Sequence, residues 1–245
     1  MLDPESARAA AESDPWPFGP VSTALDLSAT ALLVIDMQYF DASPDLGLGR
    51  AIAHMGQDGG RYYFDRLSGE VVPNIASLIT SCRRAGLRVI YIVAGPETQD
   101  GADLLPRVRA RRRQMSQMYG VSGIYSAGSR EHDILDELVP AHSDLVIGKN
   151  TTSAFTASSL DHTLRMLNIS TICFTGVVTN VCIESSLRDG SDLGYTCILV
   201  EDGCAAYDEE AQRSTVRNCR RVFGIVSATS ELLSSIEASA GANGR

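Results

Sequence analysis

The chain has 245 residues, of which 44% are hydrophobic and 21% charged, and its formal net charge is −9. That balance supports one globular domain with a generous core, and it excludes disordered, collagen-like and small disulfide-stapled classes. An excess of acidic side chains repels phosphate backbones, which excludes nucleic acid as a partner.

In chain order, residues 1–29 read as an acidic arm with Pro15, Pro17 and Pro20 where a secretory leader needs a basic start and an apolar stretch. A cytoplasmic location is the expectation. Residues 31–35, Ala-Leu-Leu-Val-Ile, are a continuous apolar run, the mark of a strand buried on both faces, and they end in Asp36-Met37-Gln38. Val72, Ile75, Ala76, Ile79 and Cys82 follow helical spacing, with Pro73 near the start and Gly86 past the end.

Further strands are predicted at 88–93, 145–148, 171–174, 197–200 and 223–226. Between them lie helical patterns at 160–167, from Val181 to about Gly194, at 212–221 and from Thr229 onward. Strands alternating with helices predict one doubly wound α/β domain over residues 30–236, with a mainly parallel sheet of about six strands and helices on both faces. The Ala/Ser/Gly-rich residues 237–245 are expected to form a flexible tail.

Two connections are long for such a fold, 39–70 and 95–130. The first carries His54-Met-Gly56 and Gly59-Gly-Arg-Tyr-Tyr-Phe64, glycines beside aromatics as a lid over a small ligand requires. An ordinary packed surface loop or a subunit contact accounts for it equally. The second carries Arg107, Arg109, Arg111, Arg112 and Arg113, which read as a solvated helical face, or as a source of one carboxylate-binding guanidinium.

No apolar run approaches the roughly 20 residues of a membrane span, so no membrane partner is expected. The six cysteines, 82, 173, 182, 197, 204 and 219, form no CxxC pair and no Cys/His cluster of metal spacing, so reduced thiols are expected. His54, His132, His142 and His162 form no HxH or HExxH pattern, and no dinucleotide or phosphate-loop motif follows a strand. No metal and no cofactor are expected.

Ligands of open α/β sheets bind outside the carboxyl ends of the strands. Three reactive side chains fall there: Asp36 after the first strand, Cys182 after the fourth, and Lys149 after the third, the only lysine beside 20 arginines. Together they supply a thiol, a cation to favour its thiolate and a carboxylate to carry its proton, with a helix N-terminus expected to lower the thiol pKa further. This is an activated nucleophile without histidine.

Val34-Ile-Asp36-Met-Gln38, Gly148-Lys149, Ser153-Ala-Phe155 and Thr175-Gly-Val-Val-Thr-Asn-Val-Cys182 resemble the isochorismatase-like cysteine hydrolase superfamily, in order over residues 30–233. Residues 175–190 are especially similar to ureidoacrylate amidohydrolases. Residues 14–18 and His54-Met-Gly56 are more similar to biuret and related ureide hydrolases.

The resemblance implies that Cys182 attacks a carbonyl, that Asp36 serves as base and then acid, and that Lys149 orients and charges the pair. It also implies a cis peptide between Val177 and Val178, an oxyanion hole from the amides of Val178 and Cys182, and a pocket wall of Tyr39, Phe155 and Thr179. The substrate class is then a small amide or ureide, among them ureidoacrylate, biuret, triuret, carbamoyl amino acids and simple amides. A homodimer or homotetramer is implied in the same way.

Three rivals are weighed. A metal-dependent nicotinamidase needs histidine after the second strand, where the chain reads Val93-Ala-Gly-Pro-Glu97. An isochorismate-type vinyl ether hydrolase keeps the aspartate and lysine without using the cysteine. A thiol redox sensor or binding module needs no aspartate to shuttle protons.

Overall fold

The structure, a computed structural model, describes Trp16, residues 25–55 and residues 60–243. Six strands form one sheet: β1 (Thr30–Ile35), β2 (Arg88–Ala94), β3 (Leu145–Lys149), β4 (Thr171–Val177), β5 (Thr196–Ala205) and β6 (Ile225–Ser227). Their order is β3-β2-β1-β4-β5-β6, and every neighbouring pair is parallel.

All of β1 is buried, and its two-residue alternation divides it between two cores. Leu32 and Val34 enter one core with Tyr63, Leu67, Ile75, Leu78, Leu232 and Ile236, which come from helices α3 (Arg61–Arg66), α4 (Val72–Ala85) and α9 (Thr229–Asn243) and the turn between α3 and α4. Ala31, Leu33 and Ile35 enter the other with Leu160, Leu164 and Leu187 of α6 (Leu160–Met166) and α7 (Glu184–Asp192). Helices therefore cover both faces, as the alternating pattern predicts.

The remaining helices are α1 (Tyr39–Ala42), α2 (Gly47–His54), α5 (Pro106–Tyr119) and α8 (Glu209–Asn218). Among the described residues, no helix is long and apolar enough to cross a membrane.

Two expectations need adjustment. The connection over 39–70 is largely helical: α1 and α2 are followed by α3, which runs through a π turn (Leu67–Val71) into α4. Tyr63, Leu67, Val71 and Ile75, each fully or nearly fully buried, make one stripe at a spacing of four. Pro73 offers no N–H to the preceding turn, and the wider turn beside it lets the helix continue. Residues 56–59 lie outside the described residues, as does most of the arm over 1–29.

In the second long connection the five arginines do lie on a helix, α5, with no buried residue, as their solvated-face reading expects, and it ends at Gly120, whose left-handed φ of 63° closes it. At the C-terminus the chain does not leave the fold at 236, because α9 runs on to Asn243 and the Ser239 hydroxyl donates to the Leu25 carbonyl at 3.3 Å. Residues 244 and 245 lie outside the description.

Candidate active site

With strand order 3-2-1-4-5-6, connections leave β1 and β4 towards opposite sides, which opens a crevice at their carboxyl ends. Two side chains of the sequence-derived site flank that crevice. Asp36 ends β1 with a left-handed φ of 54°, a conformation aspartate tolerates better than most residues, and its N–H donates to the Ile92 carbonyl at 2.9 Å. Cys182 lies in a π turn (Thr179–Ile183) between β4 and α7.

Close approach of the two strands here demands glycine. Gly176 has φ 113°, and a Cβ on it would stand 2.0 Å from the Ile35 carbonyl oxygen. The Val177–Val178 peptide that follows is cis.

Lys149 comes from β3, two strands away from β1, a lateral distance on the order of 10 Å that a long side chain can span. Its Nζ lies 2.8 Å from Asp36 Oδ2, 3.1 Å from the Thr151 carbonyl, 3.3 Å from the Thr152 carbonyl and 3.4 Å from Cys182 Sγ. Three protons thus serve four acceptors converging from different directions. A rotatable ammonium can do this and the planar fork of arginine cannot, which accounts for a lone lysine here.

The charges sit at different depths. The Asp36 and Lys149 side chains are 3% and 1% exposed, while Cys182 is half-buried and keeps solvent contact. Asp36 Oδ1 is buried without a hydrogen-bond partner among the described residues, so one carboxylate oxygen holds the lysine and the other is left over.

The thiol does not behave as its helix-terminal position predicts. Burial first, and then the negative charge of Asp36, push the Cys182 pKa up, and Lys149 offsets this only in part. At the sulfur the opposite charges of lysine and aspartate work against each other, and burial sets the upward direction of the shift. Burial alone would make Lys149 easier to deprotonate, but Asp36 and Cys182 outweigh it and hold the amine charged.

Ser186 and Gln38 brace the site, and the sequence reading assigned neither a role. The Ser186 hydroxyl donates to the Cys182 carbonyl at 2.6 Å and accepts from the Ala154 N–H at 2.8 Å, tying the loop after β3 to the cysteine. Gln38 is fully buried: its Oε1 accepts from the Ala94 N–H at 2.7 Å, and its Nε2 donates to the carbonyls of Ala94 at 3.1 Å and His132 at 2.8 Å. A four-residue spacing from Cys182 and the Gln in Asp36-Met-Gln38 were the available signals.

The three residues read as pocket wall take different places. Thr179 is fully buried beside the cis peptide, and its hydroxyl has no partner among the described residues. Tyr39 turns towards the segment over 130–136, with the Arg130 guanidinium 3.8 Å from its ring centroid and its hydroxyl accepting from the Asp136 N–H at 3.3 Å. Phe155 packs against Gly190 and Tyr195, with 5.7 Å between the two ring centroids. Among the described residues, no group of three or more His, Cys, Asp and Glu is placed to hold a metal ion.

Fold and site together define an open parallel α/β protein with a cysteine, a lysine and an aspartate gathered at its topological switch point. A model of the isochorismatase domain matches residues 30–231, and the chain belongs to the isochorismatase family. It is similar to a cysteine hydrolase from Pseudomonas syringae pv. phaseolicola 1448A, with 26% identity and a TM-score of 0.76 over 91% of this chain and 99% of that one. An isochorismatase family protein from Desulfovibrio vulgaris shares the fold at 23% identity and TM-score 0.69, covering 85% of this chain and 98% of its own. An N-carbamoylsarcosine amidase from Thermoplasma acidophilum does so at 23% identity and TM-score 0.58, covering 82% and 96%.

Proposed function

We propose that this protein is a cysteine amidohydrolase that cleaves a linear C–N amide bond of a small carbamoyl or ureido compound. The observation that carries the reading is the Lys149 ammonium set between Asp36 and Cys182, with the second Asp36 oxygen left without a partner. Cys182 Sγ adds to the carbonyl carbon while its proton passes to Asp36, which removes the need for a preformed thiolate. The carbonyl oxygen becomes an oxyanion held by the Val178 and Cys182 N–H groups, each worth about 3 kcal/mol in sites of this kind. Collapse of the adduct breaks the C–N bond, and Asp36 returns the proton to the departing ammonia. Water then attacks the thioester, releasing the acid and restoring the thiol.

Ammonia release from a panel of linear amides and ureides, with intact mass recorded during turnover, tests the reading. The native protein is expected to release ammonia and gain the acyl mass, and Cys182→Ser to lose at least 1,000-fold of the rate, on the order of the loss when a covalent nucleophile is removed. Ammonia release that survives the substitution, or none across the panel, overturns it.

A further inference from the structure

The Ser153-Ala-Phe155 segment takes no part in the reaction steps above, and Phe155 packs against Gly190 and Tyr195. Residues 150–159 form neither helix nor strand. This loop nonetheless holds the Thr151 and Thr152 carbonyls against the Lys149 ammonium, at 3.1 and 3.3 Å. Where the loop sits therefore decides where the ammonium points.

The loop is braced from within, so it moves as one piece. The Thr151 hydroxyl lies 2.9 Å from the Ser153 carbonyl and 2.7 Å from that of Thr156, and the Ser158 hydroxyl donates to the Ala154 carbonyl at 2.5 Å. Three side-chain bonds tie it outward near the surface: Asn150 to Asp103 at 3.3 Å, Arg107 to Thr152 at 2.9 Å and Thr156 to Asp189 at 3.3 Å. Contacts that water can replace hold weakly. The bond from the Ala154 N–H to the Ser186 hydroxyl, at 2.8 Å, is different, because both residues are fully buried.

Ser186 stands in α7, one turn past Cys182, and the same hydroxyl donates to the Cys182 carbonyl at 2.6 Å. Serine brings no advantage to a helix interior, and a buried hydroxyl must find partners. Here its donor returns to the nucleophile's own backbone and its acceptor crosses to the loop. One oxygen thus joins the segment that carries Cys182 to the segment that aims Lys149, beside the 3.4 Å contact between Nζ and Sγ. Alanine at 186 would keep the helix, strand a buried N–H and let the two segments slip past each other.

We propose that Ser186 is a positioning residue, locking the loop over 150–158 to the turn of Cys182 and so setting the approach of the Lys149 ammonium to the reacting sulfur. This rests on Cys182 as the nucleophile of the amidohydrolase reading, and it gives the Ser153-Ala-Phe155 segment a part in the chemistry through the Ala154 N–H.

The test compares Ser186→Ala and Ser186→Thr with the native protein. Ammonia release is followed on the most active amide of the panel above, with rates expressed per folded molecule from urea unfolding. Alkylation by iodoacetamide is read cysteine by cysteine from peptide masses. Ser186→Ala is expected to lower kcat by about 10- to 100-fold with KM held within about twofold, the scale of a misplacement of about 1 Å. Its Cys182 should be alkylated about threefold faster or more, because a loosened turn admits water to the sulfur, while the other five cysteines, all buried, stay unlabelled. Ser186→Thr keeps the hydroxyl and should hold both rates within about threefold of native. If its added methyl group prevents folding, the alanine variant decides alone.

A kcat per folded molecule unmoved within about threefold, a loss carried by KM, or labelling of all six cysteines together overturns the role of Ser186 and leaves the amidohydrolase intact. If the native protein releases ammonia from no amide, the amidohydrolase reading falls and alkylation decides by itself. Faster labelling of Cys182 alone in the alanine variant then sustains the tie, and an unchanged rate overturns it.

Discussion

At the residue scale the chemistry turns on where the thiol proton sits. Asp36 raises the Cys182 pKa as Lys149 lowers it, so the two act in opposite senses on the same sulfur. Iodoacetamide should therefore alkylate native Cys182 more slowly at pH 7.5 than it alkylates a free model thiol. Asp36→Asn should speed that alkylation while lowering ammonia release, a split that mass spectrometry and an ammonia assay read side by side. Breaking the buried ion pair costs stability too: Lys149→Met alone leaves Asp36 uncompensated and is expected to destabilise by about 3–5 kcal/mol in urea unfolding. Pairing it with Asp36→Asn should restore most of that and none of the activity.

Asp41 gives a second pH dependence. Burial lifts its pKa from 3.8 to about 6, against the opposing pull of Arg112. The folded protein thus binds this proton more readily than the unfolded chain, and the ionised carboxylate is a cost above pH 6 that fades as pH falls towards 3.8. Asp41→Asn should be the more stable protein at pH 7.5, by about 1–3 kcal/mol, with the gap closing below pH 6. The three reactive residues were legible because each ends a strand or opens a helix in the pattern. The upward direction of the thiol pKa and the raised pKa of Asp41 were not, because burial and mutual distance are products of the fold.

At the scale of elements, the strands and most helices follow from periodicity, and the exception is instructive. The long connection reads as ending at Glu70 and the next helix as opening near Pro73, yet the stripe from Tyr63 to Ile75 runs through that boundary because the π turn absorbs the irregularity. Gly69 faces open space within that helix and carries no left-handed φ. Gly69→Ala should therefore raise stability by about 0.5–1 kcal/mol, visible as a higher Tm. At Gly176 the same change meets the Ile35 backbone and should destabilise severely.

Over the whole molecule, strand order converts distant sequence into one crevice. Residues 36, 149 and 182 meet because β1 and β4 are neighbours and because lysine is long enough to cross from β3. The alternation foretold a parallel sheet, but the order of strands within it left no local trace. The same view shows how unevenly α9 is held along its length. Leu232 and Ile236 are buried in the first core, whereas beyond them Glu237 makes only an exposed pair with Arg84 and Ser239 a single bond to Leu25. Truncation after Ile236 should cost about 1 kcal/mol or less. Truncation after Ser230, which strips both buried side chains, should cost several kcal/mol by chemical denaturation.

Sealing the only lysine of the chain inside the crevice also determines how the protein meets reagents. Acylating dyes and aldehyde crosslinkers, which seek side-chain amines, find none on the folded surface. Lys149 takes up such a label only when the crevice comes apart, so the rate of its tagging counts the openings of the molecule one at a time.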